Sequence, residues 1–307
     1  MKRIDFEYGT VTGNILGAAL PMLVAQILSL LYNIVDRVYI ARIPNVGTAA
    51  LGAVGLCFPL IVIITAFSNL FGSGGAPLFS IERGKNNPQK AETIMNTSYS
   101  MVCACAVVLM VIGFLFARPL LTLFGASADA MVYAYPYMML YLIGTLPSMI
   151  ATGMNPFINA QGYSTVGMLS VTIGAVANLL LDPLFIFVLG FGVQGAAIAT
   201  VIARFAELAV MLSVVYGKKM IQAAGFSQLF SIRKDLVVQF LKTATPVIFN
   251  EMAWALGITA YTWVFAHISS DAMVIITIVQ NIERLMLVFF HGGGNPFQAV
   301  VFVIIRL

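Results

Sequence analysis

Apolar runs of about twenty residues or more alternate with short polar connections along nearly the whole chain, and runs of that length predict membrane-spanning helices. They fall at approximately 15–40, 48–78, 93–117, 130–158, 164–190, 194–216, 237–266 and from 271 onward, about eight spans in all. The polar connections are Glu82–Glu92, Gln161–Ser164, the turn Gly190–Gly192 and the longer stretch Gly217–Asp235. Backbone N–H and C=O groups cannot stay unpaired in lipid, which leaves helices or closed barrels, and the ten-residue alternation of a barrel is absent. The pattern therefore predicts an all-α, polytopic membrane helix bundle.

Composition agrees. Of 307 residues, 60% are hydrophobic and 9% charged, against roughly 25% charged in soluble domains. The net charge of +4 carries no nucleic-acid signal, because Lys and Arg sit in short loops between apolar runs. Their placement instead predicts orientation. Lys2, Arg3, Arg83, Lys85, Lys90, Lys218, Lys219, Arg233 and Lys234 fall on one side, whereas the opposite loops hold little more than Arg42 and Arg118. By the positive-inside rule the N-terminus is expected in the cytoplasm, in a multi-pass protein of the plasma (inner) membrane. Met1 to Gly13 is polar and the run behind it too long for a signal peptide, so none is expected. Cys57, Cys103 and Cys105 lie in apolar segments and suggest neither a disulfide framework nor a zinc site, and His267 and His291 lack metal-ligand companions.

Polar residues inside the apolar runs carry the candidate chemistry. In Val176-Ala-Asn178-Leu-Leu-Leu-Asp182-Pro183, Asn178 and Asp182 are four apart and share a helix face, while Pro183 frees the carbonyl of Leu179. An amide, a carboxylate and a free carbonyl can hold a small cation or a proton. At about 1.5 Å per residue, Asp182 lies in the half of the bilayer away from the N-terminus, and Asp36, Tyr137 and Thr200 fall at the level of Asn178. Intramembrane acids are rare and mostly functional, so Asp36 and Asp182 are taken as cation-binding against the alternative of carboxylates capped by a neighbouring Arg. A Thr in such a helix often bonds back to its own turn and a Tyr often only packs, so Thr200 and Tyr137 are weighed evenly between site and packing. Glu251 stands mid-span in the seventh run, where coupling and a pairing with Arg284 compete. Arg204 and Glu207, three apart, read as a structural ion pair. Met138, Met139 and Met154 are candidates to line an adaptable cavity. Gly72-Ser-Gly-Gly-Ala-Pro77 lacks the ending of a phosphate loop and predicts close helix packing or a kink.

A partial repeat is also legible. A shift of 225 positions sets Ala19 on Ala244, Pro21 on Pro246 and Gln26 on Glu251, and the 71–77 stretch matches Phe290-His-Gly-Gly-Gly-Asn-Pro296. The repeat is parallel, a known plan of secondary transporters. It predicts a six-helix lobe over 1–216, a cytoplasmic linker over 217–235 and an incomplete second lobe of about two helices over 236–307. The second copy stops at Leu307, so a truncated product or a fragment is expected.

Asn178 to Pro183, followed by Gly192-Val-Gln-Gly195-Ala-Ala-Ile-Ala-Thr200, resembles the multidrug and toxic compound extrusion (MATE) transporters. So do Pro21, Asp36-Arg37, Asn155-Pro156 and Ala160-Gln161-Gly162. The likeness runs through the chain as the first eight of twelve helices. It implies two six-helix lobes around a central cavity, exporting organic cations or amphipathic drugs in exchange for H+ or Na+, without a further cofactor, metal or nucleic acid, as a monomer when full length. The family's cation site carries over onto Asp36, Asn178, Asp182 and Thr200 with Tyr137 nearby, and its second-lobe acidic position onto Glu251. A lipid-linked oligosaccharide flippase of the same superfamily is expected to set several basic residues in its cavity, and only Arg204 lies within a first-lobe span. An inactive fragment is a further alternative. An intramembrane enzyme is least favoured, because no catalytic pair or His-rich metal motif is present.

Overall fold

The computed structural model describes residues 11–217, 234–269, 271–280 and 282–283. Every regular element among them is helical. The helices are α1 (Val11–Ala41), α2 (Gly47–Gly84), α3 (Pro88–Leu123), α4 (Ala128–Ile143), α5 (Thr145–Ala160), α6 (Ser164–Pro183), α7 (Gly192–Gly217), α8 (Lys234–Ile268) and α9 (Asp271–Gln280). Among the described residues five helical spans are long and apolar enough to cross a membrane, or six where the bent pair α4 and α5 counts as one span. This is the all-α polytopic bundle that the apolar runs predict.

Local chemistry sets the turns. Asn87 caps α3 by accepting from the Lys90 N–H at 3.2 Å, and Pro88 fills the first helical position, where no N–H is needed. Ser127 caps α4 in the same way through Ala130 N–H at 3.3 Å. Between α6 and α7 the chain reverses through Gly190 and Gly192, with φ of +71° and +55°, values that glycine adopts without a Cβ clash.

Two predicted spans differ in detail. The run at 130–158 is not one helix but α4 and α5, bent by 55° at Gly144. Pro147 cannot donate to the carbonyl of Ile143, so the ladder breaks where the bend lies. The run at 164–190 does not end at Pro183. It continues as a π turn, Leu184–Val188, closed by Leu189 N–H to Leu184 O at 2.9 Å.

The core lies where α2 meets α3, α5 and α8. The glycines at 72–77 mark close packing, as their pattern predicts. A Cβ on Gly72 would stand 2.9 Å from Pro156 Cγ and 3.0 Å from Gly153 O, and one on Gly75 would stand 2.6 Å from Phe157 Cζ. Phe157 is fully buried and meets Phe79 edge-to-face at 5.5 Å. Phe157→Ala should therefore cost about 3–5 kcal/mol, read as a large fall in thermal stability of the detergent-solubilised protein. α8 also packs on α2, setting Phe240 on Phe71 at 5.8 Å and Ala255 and Ile258 on Phe58 and Val62.

Candidate functional site

α1 lies along α6, and α6 along α7, at the level where α6 passes into the π turn. Those two contacts bring the sequence candidates together. Asn178 and Asp182 share the buried face of α6, and the Asn178 Nδ2 donates to Asp182 Oδ1 at 3.2 Å. The same amide nitrogen donates across to Thr200 Oγ1 on α7 at 3.3 Å. From α1, the carboxyl group of Asp36 reaches that of Asp182 closely enough to interact directly. Tyr137, on α4, is buried within electrostatic reach of Asp36 and Arg37, its ring stacked on Tyr141 at 6.2 Å. All five first-lobe candidates thus converge on one buried polar locus.

The locus gathers several oxygen acceptors. Asn178 commits its amide nitrogen to Asp182 and Thr200, which leaves its Oδ1 buried without a partner. Asp182 Oδ2 and Asp36 Oδ1 are likewise buried without hydrogen-bond partners. Buried polar atoms are nearly always paired, so oxygens left without partners beside two facing carboxyls suit a shared proton or a small cation. Amide, carboxylate and hydroxyl oxygens are hard ligands that suit a small hard cation, and two facing carboxyls suit a shared proton. The chemistry of the donor set fits either.

Arg37 is a member of this locus that the sequence pattern does not supply. Adjacent helix residues point about 100° apart, so the sequence names Arg37 only as a cap competing with the site reading of Asp36 and not as a site member. It is nonetheless within electrostatic reach of Asp36 and Tyr137, and its guanidinium lies 5.7 Å from the centre of the Phe58 ring on α2. Its Nη1 is buried without a hydrogen-bond partner, and it makes no ion pair with Asp36. The signal was available only as the dipeptide Asp36-Arg37.

Below the acidic locus, toward the end of the bundle holding residues 84–88 and 160–164, a cavity of about 390 Å³ opens between α1, α2, α5, α6 and α7. Ser148, Thr152, Asn155 and Asn159 form a polar stripe along α5, and Gln26, Asn69 and Ser164 face them. Arg204 and Glu207 close its far side as the ion pair that their spacing predicts, at 2.8 Å. The methionine expectation is corrected here. Met138 and Met154 are packed in the apolar core and Met139 against it, whereas the methionines on the cavity wall are Met22 and Met168. Helix phase, not residue type, decides which Met faces inward. Glu251 lies on α8, but its side chain falls outside the described residues, as do Arg284 and the second glycine-rich stretch at 290–296.

Comparisons with known proteins bear on this geometry. The sequence model of the MatE family matches residues 21–184, which contain Asp36, Tyr137, Asn178 and Asp182. Among curated proteins, the chain is 24% identical over 222 residues to the multidrug export protein MepA of Staphylococcus haemolyticus, covering 72% of this chain and 48% of that protein. It is 26% identical over 217 residues to the FAD transporter of Shewanella oneidensis, covering 69% and 47%. The chain spans about half the length of these relatives. A solved structure of a multidrug resistance MATE family transporter in an outward-facing conformation superimposes with a TM-score of 0.85 at 22% identity, over 98% of this chain and 66% of that one. That match shares the fold of the bundle. With the family model spanning just over half of the sequence, this chain belongs to the MatE family.

Proposed function

We propose that this chain is the ion-coupling lobe, with the start of the second lobe, of a secondary antiporter that exports small organic cations or amphipathic drugs in exchange for H+ or Na+. The observation that carries the reading is the buried pair Asp36 and Asp182, contributed by two different helices and accompanied by Arg37. Two carboxylates and one guanidinium sum to a single negative charge. One monovalent cation brings the sum to zero, the state that a low-dielectric setting favours. A proton would sit between the two carboxyls. Na+ would take oxygens from Asp36, Asp182, Asn178 and Thr200. Either way the ion ties α1 to α6, so it favours the conformation in which those helices meet over one in which they part. Pro21 gives α1 a point at which to bend. Tyr137 shields the pair from the α4 side, and Glu251 is the coupling candidate of the second lobe.

The polar cavity supports a transported solute within the same lobe. MepA is named as a multidrug exporter and the Shewanella protein as an FAD transporter, at similar distances from this chain. The cargo reading therefore rests on the cavity and on the resemblance, which together favour small cationic or amphipathic solutes. In this reading residues 1–216 form the first lobe, 217–235 a cytoplasmic linker and 236–307 the start of the second lobe, and the protein works in the plasma (inner) membrane as a monomer without a cofactor, with the N-terminus on the cytoplasmic side that the Lys and Arg placement favours. In proteoliposomes, export of a fluorescent organic cation such as ethidium should be driven by an imposed H+ or Na+ gradient. A response to neither gradient, in liposomes where the folded protein is verified, would sink the reading.

A further inference from the structure

Between the acidic locus and the polar cavity lies a second, much smaller space of about 10 Å³. That is room for about one water molecule. Asn178 and Thr200 line it on the side of the acidic pair. Val171, Arg204 and Glu207 line both this space and the polar cavity, so they form the partition between the two. Arg204 bridges the partition, its Nη1 paired with Glu207 Oε2 at 2.8 Å and its Nη2 donating to the Tyr32 hydroxyl on α1. Glu207 is itself almost fully buried. Room for it on α6 comes from Gly174, where a Cβ would stand 3.2 Å from Glu207 Cβ and 3.4 Å from both Glu207 Oε2 and Ala203 O. The charged and titratable groups facing this path are Asp36, Arg37 and Tyr32 from α1, Tyr137 and Tyr141 from α4, Asp182 from α6, and Arg204 and Glu207 from α7.

Resting on the coupling-ion reading above, we infer that the ion exchanges between the acidic pair and the polar cavity of the same lobe through this one-water space, with the Tyr32–Arg204–Glu207 cluster as its gate and Gly174 as the residue that keeps it open. The chemistry suits a gate. A cation approaching from the cavity meets a carboxylate already neutralised by Arg204, so passage needs the guanidinium to swing aside. Tyr32 sits on α1, the helix that also carries Asp36, so a movement of α1 shifts the second anchor of Arg204 together with one of the acids. The ion pair is thereby more than a structural brace.

The test is infrared difference spectroscopy of the membrane-reconstituted protein after a jump from alkaline to acid pH. The carboxyl signal that vanishes in Asp182→Asn identifies the acidic pair, and its rise time reports access. Gly174→Val, which fills the space while leaving every ion ligand in the sequence, should slow that rise about tenfold. Gly174→Ala should slow it less, and Val171→Ala, which widens the space, should speed it about threefold. A rise time unmoved by both the Val171 and the Gly174 variants, with the Asp182-dependent signal intact, would show that access lies elsewhere and overturn the inference alone. A spectrum unchanged by Asp182→Asn, both after the pH jump and after a Na+ jump at fixed pH, would remove the coupling-ion reading itself and this inference with it.

Discussion

Asp182→Asn is expected to weaken binding of the coupling ion by about a hundredfold or more, close to 3 kcal/mol. The reason is charge, not shape. Asn keeps the volume of Asp and can still accept the 3.2 Å hydrogen bond from Asn178. What it lacks is the second negative charge. With Asp36 balanced by Arg37, the locus is neutral before an ion arrives, and a monovalent cation would leave an uncompensated buried charge. Radiolabelled Na+ binding, or proton release on titration of the purified protein, measures the loss. Asp129→Asn is the matched control, because Asp129 is an exposed acid in the first turn of α4 and its loss should leave binding unchanged. Equal binding by Asp182→Asn and the unaltered protein would refute the charge-balance account.

Gly195→Val should give the largest structural penalty among the site's neighbours. A Cβ at Gly195 would stand 2.7 Å from both the carbonyl carbon and oxygen of Phe185 and 2.9 Å from Ile186 N. All three are backbone atoms of the π turn, which cannot rotate away as a side chain can. The helices α7 and α6 meet here backbone to backbone, so any side chain must push the turn outward, at a cost of about 3 kcal/mol or more. The π turn follows Asp182-Pro183 directly, and its displacement should move Asp182 as well. Melting temperature in detergent and ion affinity are therefore expected to fall together. Gly217→Ala, at a position with nothing within 4 Å, should change neither. A Gly195→Val protein that melts normally would contradict the close approach.

The spans were legible because lipid imposes a length on an apolar run, and length survives without knowledge of packing. The breaks inside spans were less so. Gly144 with Pro147 splits one predicted helix, although Pro156, also inside a helix, does not stop α5. A proline therefore signals that a ladder bond is missing, while tertiary contacts decide whether the helix bends. Within the site, Asn178 and Asp182 were readable from their four-residue spacing, and Asp36, Tyr137 and Thr200 from depth along their helices. Lateral placement was not readable, since rotation of one helix against another leaves no periodic trace. That is why Arg37 was missing from the site, why Met22 and Met168 replaced Met138 and Met154 on the cavity wall, and why Arg204 and Glu207 read only as a pair.

The break at Gly144 has a consequence for division of labour. On one side of it, α4 carries Tyr137 against the acidic pair, packed on α7. On the other, α5 carries the Ser148, Thr152, Asn155 and Asn159 stripe that faces the polar cavity. In the proposed antiporter a straight rod would oblige ion loading and solute accommodation to share one tilt. The elbow lets each half settle at its own angle, so that in the proposed antiporter the cavity wall can be retuned for a new cargo without disturbing the acidic locus.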